Sequence, residues 1–146
     1  MISRENAMLN KIFFLGYEVK KSSYTKSRDV KRGRFKVNTG EFSVYTAEES
    51  KNGRRPIKIT LEPRLNGFEV KDDDSVDDNS PSFEIKIEMD VFFEYKGEEE
   101  ISDKLMNESE WFFQNFCFVA MKLAFENQLK DTDMSDIKLP FKRKEI

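Results

Sequence analysis

Residues Phe83–Tyr95 read FEIKIEMDVFFEY, and this stretch decides the fold. Phe83, Ile85, Ile87, Met89, Val91, Phe93 and Tyr95 are apolar or aromatic. Glu84, Lys86, Glu88, Asp90 and Glu94 fall between them, and Phe92 alone breaks the polar set. A period of two sustained this long specifies an antiparallel strand with one buried face and one wet face. At ~3.3 Å per residue the strand spans ~43 Å, well beyond the usual length of about five or six residues. Such a strand suits a chain built to present a surface.

Upstream, Ile57–Leu65 alternates in the same way, with Ile57, Ile59, Leu61 and Leu65 inward and Lys58, Thr60, Glu62 and Arg64 outward. Pro63 lacks an N–H and predicts a bulge or an edge position. The acidic residues 71–82 (KDDDSVDDNSPS) join this strand to Phe83–Tyr95 as a wide hairpin. Leu9–Lys20 (LNKIFFLGYEVK) reads as a first strand. Leu9, Phe13, Leu15, Tyr17 and Val19 lie on one of its faces, and Ile12, Phe14 and Gly16 on the other. Gly16 marks a bulge or a close backbone approach. Residues 20–34 form a basic, solvated connector that carries too little else to indicate phosphate binding. Phe35–Val37 and Phe42–Tyr45 flank Asn38-Thr39-Gly40 as a short hairpin, and 47–56 form a loop with an Asn-Gly turn.

Downstream, residues 96–107 are a connector. Asn107 or Ser109 caps a helix that runs to about Lys130, with Glu108 and Glu110 at the positive end of its dipole. WFFQNFCFVAMKLAF (111–125) is apolar nearly all round. A helix on its own sheet needs an apolar arc of only ~100°. Phe112, Phe116, Val119 and Leu123 make one such stripe, and Trp111, Phe118 and Phe125 lie on a second. With one sheet in the chain, the second face is predicted to pack on another copy, as a homo-oligomer (dimer or tetramer). IKLPF (137–141) reads as a short extended piece. The whole is a single α+β domain over residues 9–141: an antiparallel β-sheet packed by one long C-terminal α-helix. Residues 1–8 are expected to be a disordered start and 142–146 a charged tail.

The chain has 146 residues, of which 36% are charged and 13% aromatic, with a formal net charge of −3. This balance suits a globular domain and argues against nucleic-acid binding over the whole surface. Cys117 is the single cysteine, so no intrachain disulfide forms, and a cytoplasmic location fits. The first ten residues lack the apolar core of a signal peptide. The 111–125 run, interrupted by Gln114, Asn115 and Lys122, is shorter than a membrane span, so no membrane insertion is expected.

Catalytic chemistry is sparse. There is no histidine, which removes the commonest general base and metal ligand, and with it Ser-His and Cys-His pairs. Cys117 sits in an apolar helix as a small core residue. No glycine-rich phosphate loop is present. Asp72, Asp73, Asp74, Asp77 and Asp78 lack the central Gly and closing Glu of a calcium loop and read as a solvated turn. Glu84, Glu88, Asp90 and Glu94 share one strand face with Lys86 among them. They read as a wet face or an acidic docking surface rather than as a glycosidase pair. No enzyme activity, cofactor or metal is expected.

In order and pattern, these pieces resemble the SecB-type protein-export chaperones. The resemblance runs through KIFFLGYEVKKSSY, IKITLEPRLN, FEIKIEMDVFFEYKGEEE and the helix WFFQNFCFVAMKLAFENQL with the following IKLP, over residues 9–141. It implies an antiparallel sheet backed by a long helix, subunits joined by strand pairing and by helices, and ATP-independent holding of unfolded polypeptides. Two departures mark a shortened, divergent member. Only Lys96–Glu110 separate the long strand from the helix, where the family has a fourth strand and a longer loop. The end is basic KRKEI rather than an acidic tail. The function expected is that of a holdase, with Phe14, Phe42, Tyr45 and Phe92 as peptide-binding candidates and Trp111, Phe118 and Phe125 at the oligomer interface. The alternatives are an adaptor for one folded partner, such as a toxin–antitoxin module, or a carrier of a small apolar ligand.

Overall fold

The computed structural model describes residues 10–47, 53–76, 80–97, 102–130 and 132. These form six strands, β1 (Ile12–Lys26), β2 (Gly33–Asn38), β3 (Ser43–Thr46), β4 (Arg55–Leu61), β5 (Arg64–Glu69) and β6 (Phe83–Tyr95). Two helices follow, α1 (Asp103–Glu108) and α2 (Glu110–Leu129). The pieces expected at 1–8, 137–141 and 142–146 lie outside the described residues.

All pairing is antiparallel, and β6 is the spine of the sheet. β1 runs along its whole length on one side, from Ile12 opposite Tyr95 to Lys26 opposite Phe83. On its other side β4 covers residues 89–95 and β5 covers residues 83–86. β3 then pairs with β4, and β2 with β5. The sheet is therefore four tracks wide, and its two outer tracks on that side are each broken into two strands. Pro63 lies in the β4–β5 break; it is buried and its carbonyl accepts the Ile87 N–H at 3.1 Å. The outermost track on that side is made by β2 and β3, and among the described residues no strand lies between β6 and α1.

Two local readings are corrected by this topology. Asn38-Thr39-Gly40 does not close a hairpin, because β2 and β3 pair with β5 and β4 rather than with each other. It is a kink in one track, made by Gly40 at φ 67° and the Gly40 N–H donating to Asn38 Oδ1 at 2.9 Å. The first strand extends to Lys26, so half of the supposed connector is ladder. Its polar side chains hid this, since an edge strand needs no apolar outer face. The helical region also begins earlier than expected, with α1 occupying part of the connector and Ser109 at the junction, buried and without a side-chain cap bond.

The alternating apolar set of β6 is buried as its period requires, with Ile85, Met89, Val91 and Phe93 fully covered. Ile57, Ile59, Leu61 and Leu65 face the same way and are likewise covered. Burying each such side chain contributes about 2 kcal/mol. Phe93 is the aromatic hub: the Phe113 ring meets it edge-on at 5.0 Å, with Phe14 and Phe116 at 5.7 and 5.8 Å.

The stripes of α2 are rotated from the sequence expectation. Phe113, Cys117, Ala120, Met121, Ala124 and Phe125 face the sheet, whereas Val119 and Leu123 are exposed. The buried stripe contains two alanines and a cysteine, and small residues let a helix backbone settle close to a sheet. Ranking stripes by bulk alone picked the wrong one.

Candidate functional site

The bulges of β1 set what the sheet shows on the helix side. Leu15 and Lys20 are skipped in the ladder between β1 and β6, and Gly16 adopts φ 137° beside the first irregularity. Each extra residue flips the strand by one position. Ile12, Phe14, Tyr17, Val19, Ser22 and Tyr24 consequently oppose inward-facing residues of β6. Tyr17 and Val19 were expected on the face opposite Phe14, and the bulge at Leu15 brings the three together.

Only Ile12 of that row is buried. Phe14, Tyr17 and Val19 are 39%, 37% and 39% exposed, and Val119 and Leu123 on α2 are 47% and 46% exposed. The Phe14 ring stacks on Phe116 at 5.0 Å, which ties strand and helix into one apolar strip. At ~200 Å² per large side chain the strip exposes roughly 400 Å², within the ~300–600 Å² range of functional patches. It borders the outer edge of β1, which has no neighbouring strand among the described residues. Nothing in the hydrophobic pattern distinguished these residues from core. The signal was on β1 itself, where Ser22 and Ser23 show that the strand runs out of cover.

The opposite face carries a second group. Tyr45 opposes Lys58, Lys58 opposes Phe92, and Phe92 opposes Gly16, forming one row across four strands. Lys58 Nζ lies 5.0 Å from the Tyr45 ring, and Tyr45 is 56% exposed. Without a side chain at Gly16, Phe92 is left half-covered. In the adjacent row Lys96 Nζ stands 4.8 Å over the exposed Phe13 ring. Phe42 lies elsewhere, half-buried against Phe118 at 6.3 Å, beside a cavity of about 410 Å³ between the 39–42 turn and α2.

The four peptide-binding candidates thus divide. Tyr45 and Phe92 share the wet face, while Phe14 and Phe42 belong to the helix side at separate places. Of the interface candidates, Trp111 and Phe118 are half-buried. Phe125 is fully covered in the subunit's own core.

The carboxylates of β6 are mostly neutralised. Glu84 pairs with Lys86 at 3.3 Å, Glu94 with Arg54 at 3.3 Å, and Asp90 with Lys20 at 2.9 Å. Asp90 also accepts the Thr60 hydroxyl at 2.8 Å, so it links β1, β6 and β4. Desolvation pushes its pKa up. The hydrogen bonds from Lys20 and Thr60, with the charges of Lys20 and Lys58, outweigh this and hold the carboxyl below its ordinary value. Cys117 is buried, and desolvation pushes its thiol up to about 12. Among the described residues no group of acids, cysteines or histidines is placed to hold a metal ion. Nor is any described helix long and apolar enough to cross a membrane.

No family model and no curated protein sequence matches the chain. Among solved structures, it is similar to the Mycobacterium tuberculosis Rv1957 SecB-like chaperone in complex with a ChAD peptide from the Rv1956 HigA1 antitoxin. The TM-score is 0.59 at 8% identity, over 93% of this chain and 95% of that one. The fold is SecB-like.

Proposed function

We propose that this protein is an ATP-independent, SecB-like chaperone that holds unfolded or extended polypeptide segments in the cytoplasm, without catalytic activity. The observation that carries the reading is the set of uncovered apolar side chains on both sides of the sheet. Those on the helix side stand beside a strand edge of fifteen residues that has no neighbouring strand among the described residues. A monomer has no use for either feature. Extended chains are recognised through strand edges and apolar side-chain pockets.

The two sides suit different occupants. The strip of Phe14, Tyr17, Val19, Val119 and Leu123 adjoins that edge of β1 and suits a second copy of the chain. Its roughly 400 Å² per subunit falls short of the ~800 Å² per partner of a standard interface. Strand pairing along β1 supplies the remainder. The client is then met by Phe92, Tyr45 and Phe13 on the wet face and by the Phe42–Phe118 cleft.

The test is aggregation of a chemically unfolded client followed by light scattering. Suppression by a few-fold excess of the protein without nucleotide is expected, and no suppression counts against the reading. The antitoxin peptide held by the structural neighbour favours a second reading, an adaptor dedicated to one partner. Affinity capture separates the two: many unfolded polypeptides support the holdase, and one stoichiometric partner supports the adaptor.

A further inference from the structure

The connector from β1 to β2 roofs a cavity that none of the surfaces above uses. Its ends are fixed. Ser27 and Arg28 donate their N–H groups to the Ser82 carbonyl at 2.8 and 3.4 Å, and the Arg32 carbonyl accepts the Val70 N–H at 2.9 Å. Arg32 also pairs with Asp74 at 2.8 Å. The space beneath it is about 210 Å³ and opens to solvent on one side.

Two kinds of wall line it. Val30, Phe35, Phe68 and Phe83 are apolar, and the Phe35 and Phe83 rings lie 5.9 Å apart. Lys26, Arg28 and Arg34 bring three cations against the single carboxylate of Asp29. Lys26 pairs with Asp29, and Arg28 reaches the Ser80 carbonyl at 3.2 Å. Arg34 alternates with Phe35 on the regular β2 ladder and stands at the rim of the cavity, on the other face of the strand. Ser82 also lines the cavity, is 1% exposed, and its Oγ has no hydrogen-bond partner among the described residues.

Size and charge restrict the occupant. The volume exceeds the ~150 Å³ that accepts benzene but is smaller than the ~300–1,000 Å³ of cofactor and drug sites. It suits one or two residues. The excess of cations over an aromatic floor selects an apolar residue next to a carboxylate. Because β2 is an edge strand, an extended peptide paired along it passes Arg34 and Phe35.

We propose that this cavity is an anchor for an acidic, apolar step of a peptide paired along β2, its apolar side chain entering against Phe35 and Phe83 and its neighbouring carboxylate, on the other face of the strand, meeting Arg34 at the rim. The proposal rests on the peptide-binding reading and adds to it a preference of sequence.

Three fluorescent peptides of one apolar sequence test it by anisotropy. The first ends in a free carboxylate, the second is amidated with one internal Glu, and the third is amidated with Gln in that place. An acidic peptide is expected to bind about five-fold more tightly than the neutral one, as for a partly exposed ion pair. The arm that carries the gain identifies a terminal or a side-chain carboxylate. Arg34→Gln should abolish the gain while leaving neutral-peptide binding and the melting temperature unchanged, and Lys122→Gln on α2 should leave the gain intact. Equal binding of all three peptides, or a gain that survives Arg34→Gln, overturns the anchor alone. Failure of all three to bind overturns the peptide-binding reading and the anchor with it.

Discussion

Asp90→Asn isolates the one polar latch at the centre of the sheet. The carboxylate side chain is 2% exposed and joins three strands through Lys20 at 2.9 Å and Thr60 at 2.8 Å. Asparagine keeps the shape and one acceptor oxygen but loses the charge. A hydrogen bond to a charged group contributes ~1.5–3 kcal/mol. Here the lower end applies, because Asp90 is sealed by neighbouring side chains on the wet face rather than sunk in the core, and Lys20 is half-exposed. A loss of about 1.5 kcal/mol follows. With a urea m-value of ~2 kcal/mol/M the midpoint falls by roughly 0.75 M with m unchanged. The sign of the pH dependence is fixed by the lowered pKa. A carboxyl depressed in the folded state contributes stability above its unfolded pKa of ~3.9 and loses it as pH falls through the folded value. The gap between parent and variant is therefore full at neutral pH and closes below about pH 4. Equal midpoints at neutral pH, or a gap that persists in acid, would refute the latch.

Three further outcomes are expected. Leu123→Lys places a charge in the exposed strip; it should lower the mass seen by light scattering toward the monomer, with a melting temperature within a few degrees of the parent. Gly67→Ala puts a methyl group into the Phe83 ring and should cost about 1–3 kcal/mol in denaturant titration, as overpacking does. Cys117, with its thiol at about 12, should label with a thiol reagent at mildly alkaline pH only at the rate of unfolding, and rapidly in denaturant.

The fold was legible wherever periodicity was long. Thirteen residues at period two in β6, and the matching set from Ile57 to Leu65, permit few other arrangements. The breaks were less legible. Pro63 announced an interruption, but whether β2 and β3 would pair with each other or extend one track depends on contacts across the sheet, which local turn chemistry does not encode. The candidate site was legible in kind and not in place. An excess of aromatics predicted a surface, yet the facing of its members on β1 was decided by two residues skipped in the ladder: Leu15 reverses the facing of residues 16–19, and Lys20 restores it. In α2 the small residues Ala120 and Ala124 chose the buried face, and a count of bulky side chains passes over them.

The pairing on the wet face changes what that surface is able to recognise. By sequence it is a row of carboxylates suited to a basic partner. In the structure Glu84, Asp90 and Glu94 each have a cation within 3.3 Å, so a docking partner would have to displace existing ion pairs to reach them. Displacing one exposed pair for another yields little net free energy. The exposed Glu88 is the one carboxylate of the four without an ion pair among the described residues. The apolar groups on that face are Phe92, Tyr45 and Phe13, and two of these already carry a lysine over the ring. Those lysines cover the rings with flexible aliphatic stems and move aside more readily than a packed side chain. The wet face of β6 is therefore better matched to an apolar segment that slides beneath Lys58 and Lys96 than to a charged surface. This favours the proposed holdase over a folded basic partner docked on that face.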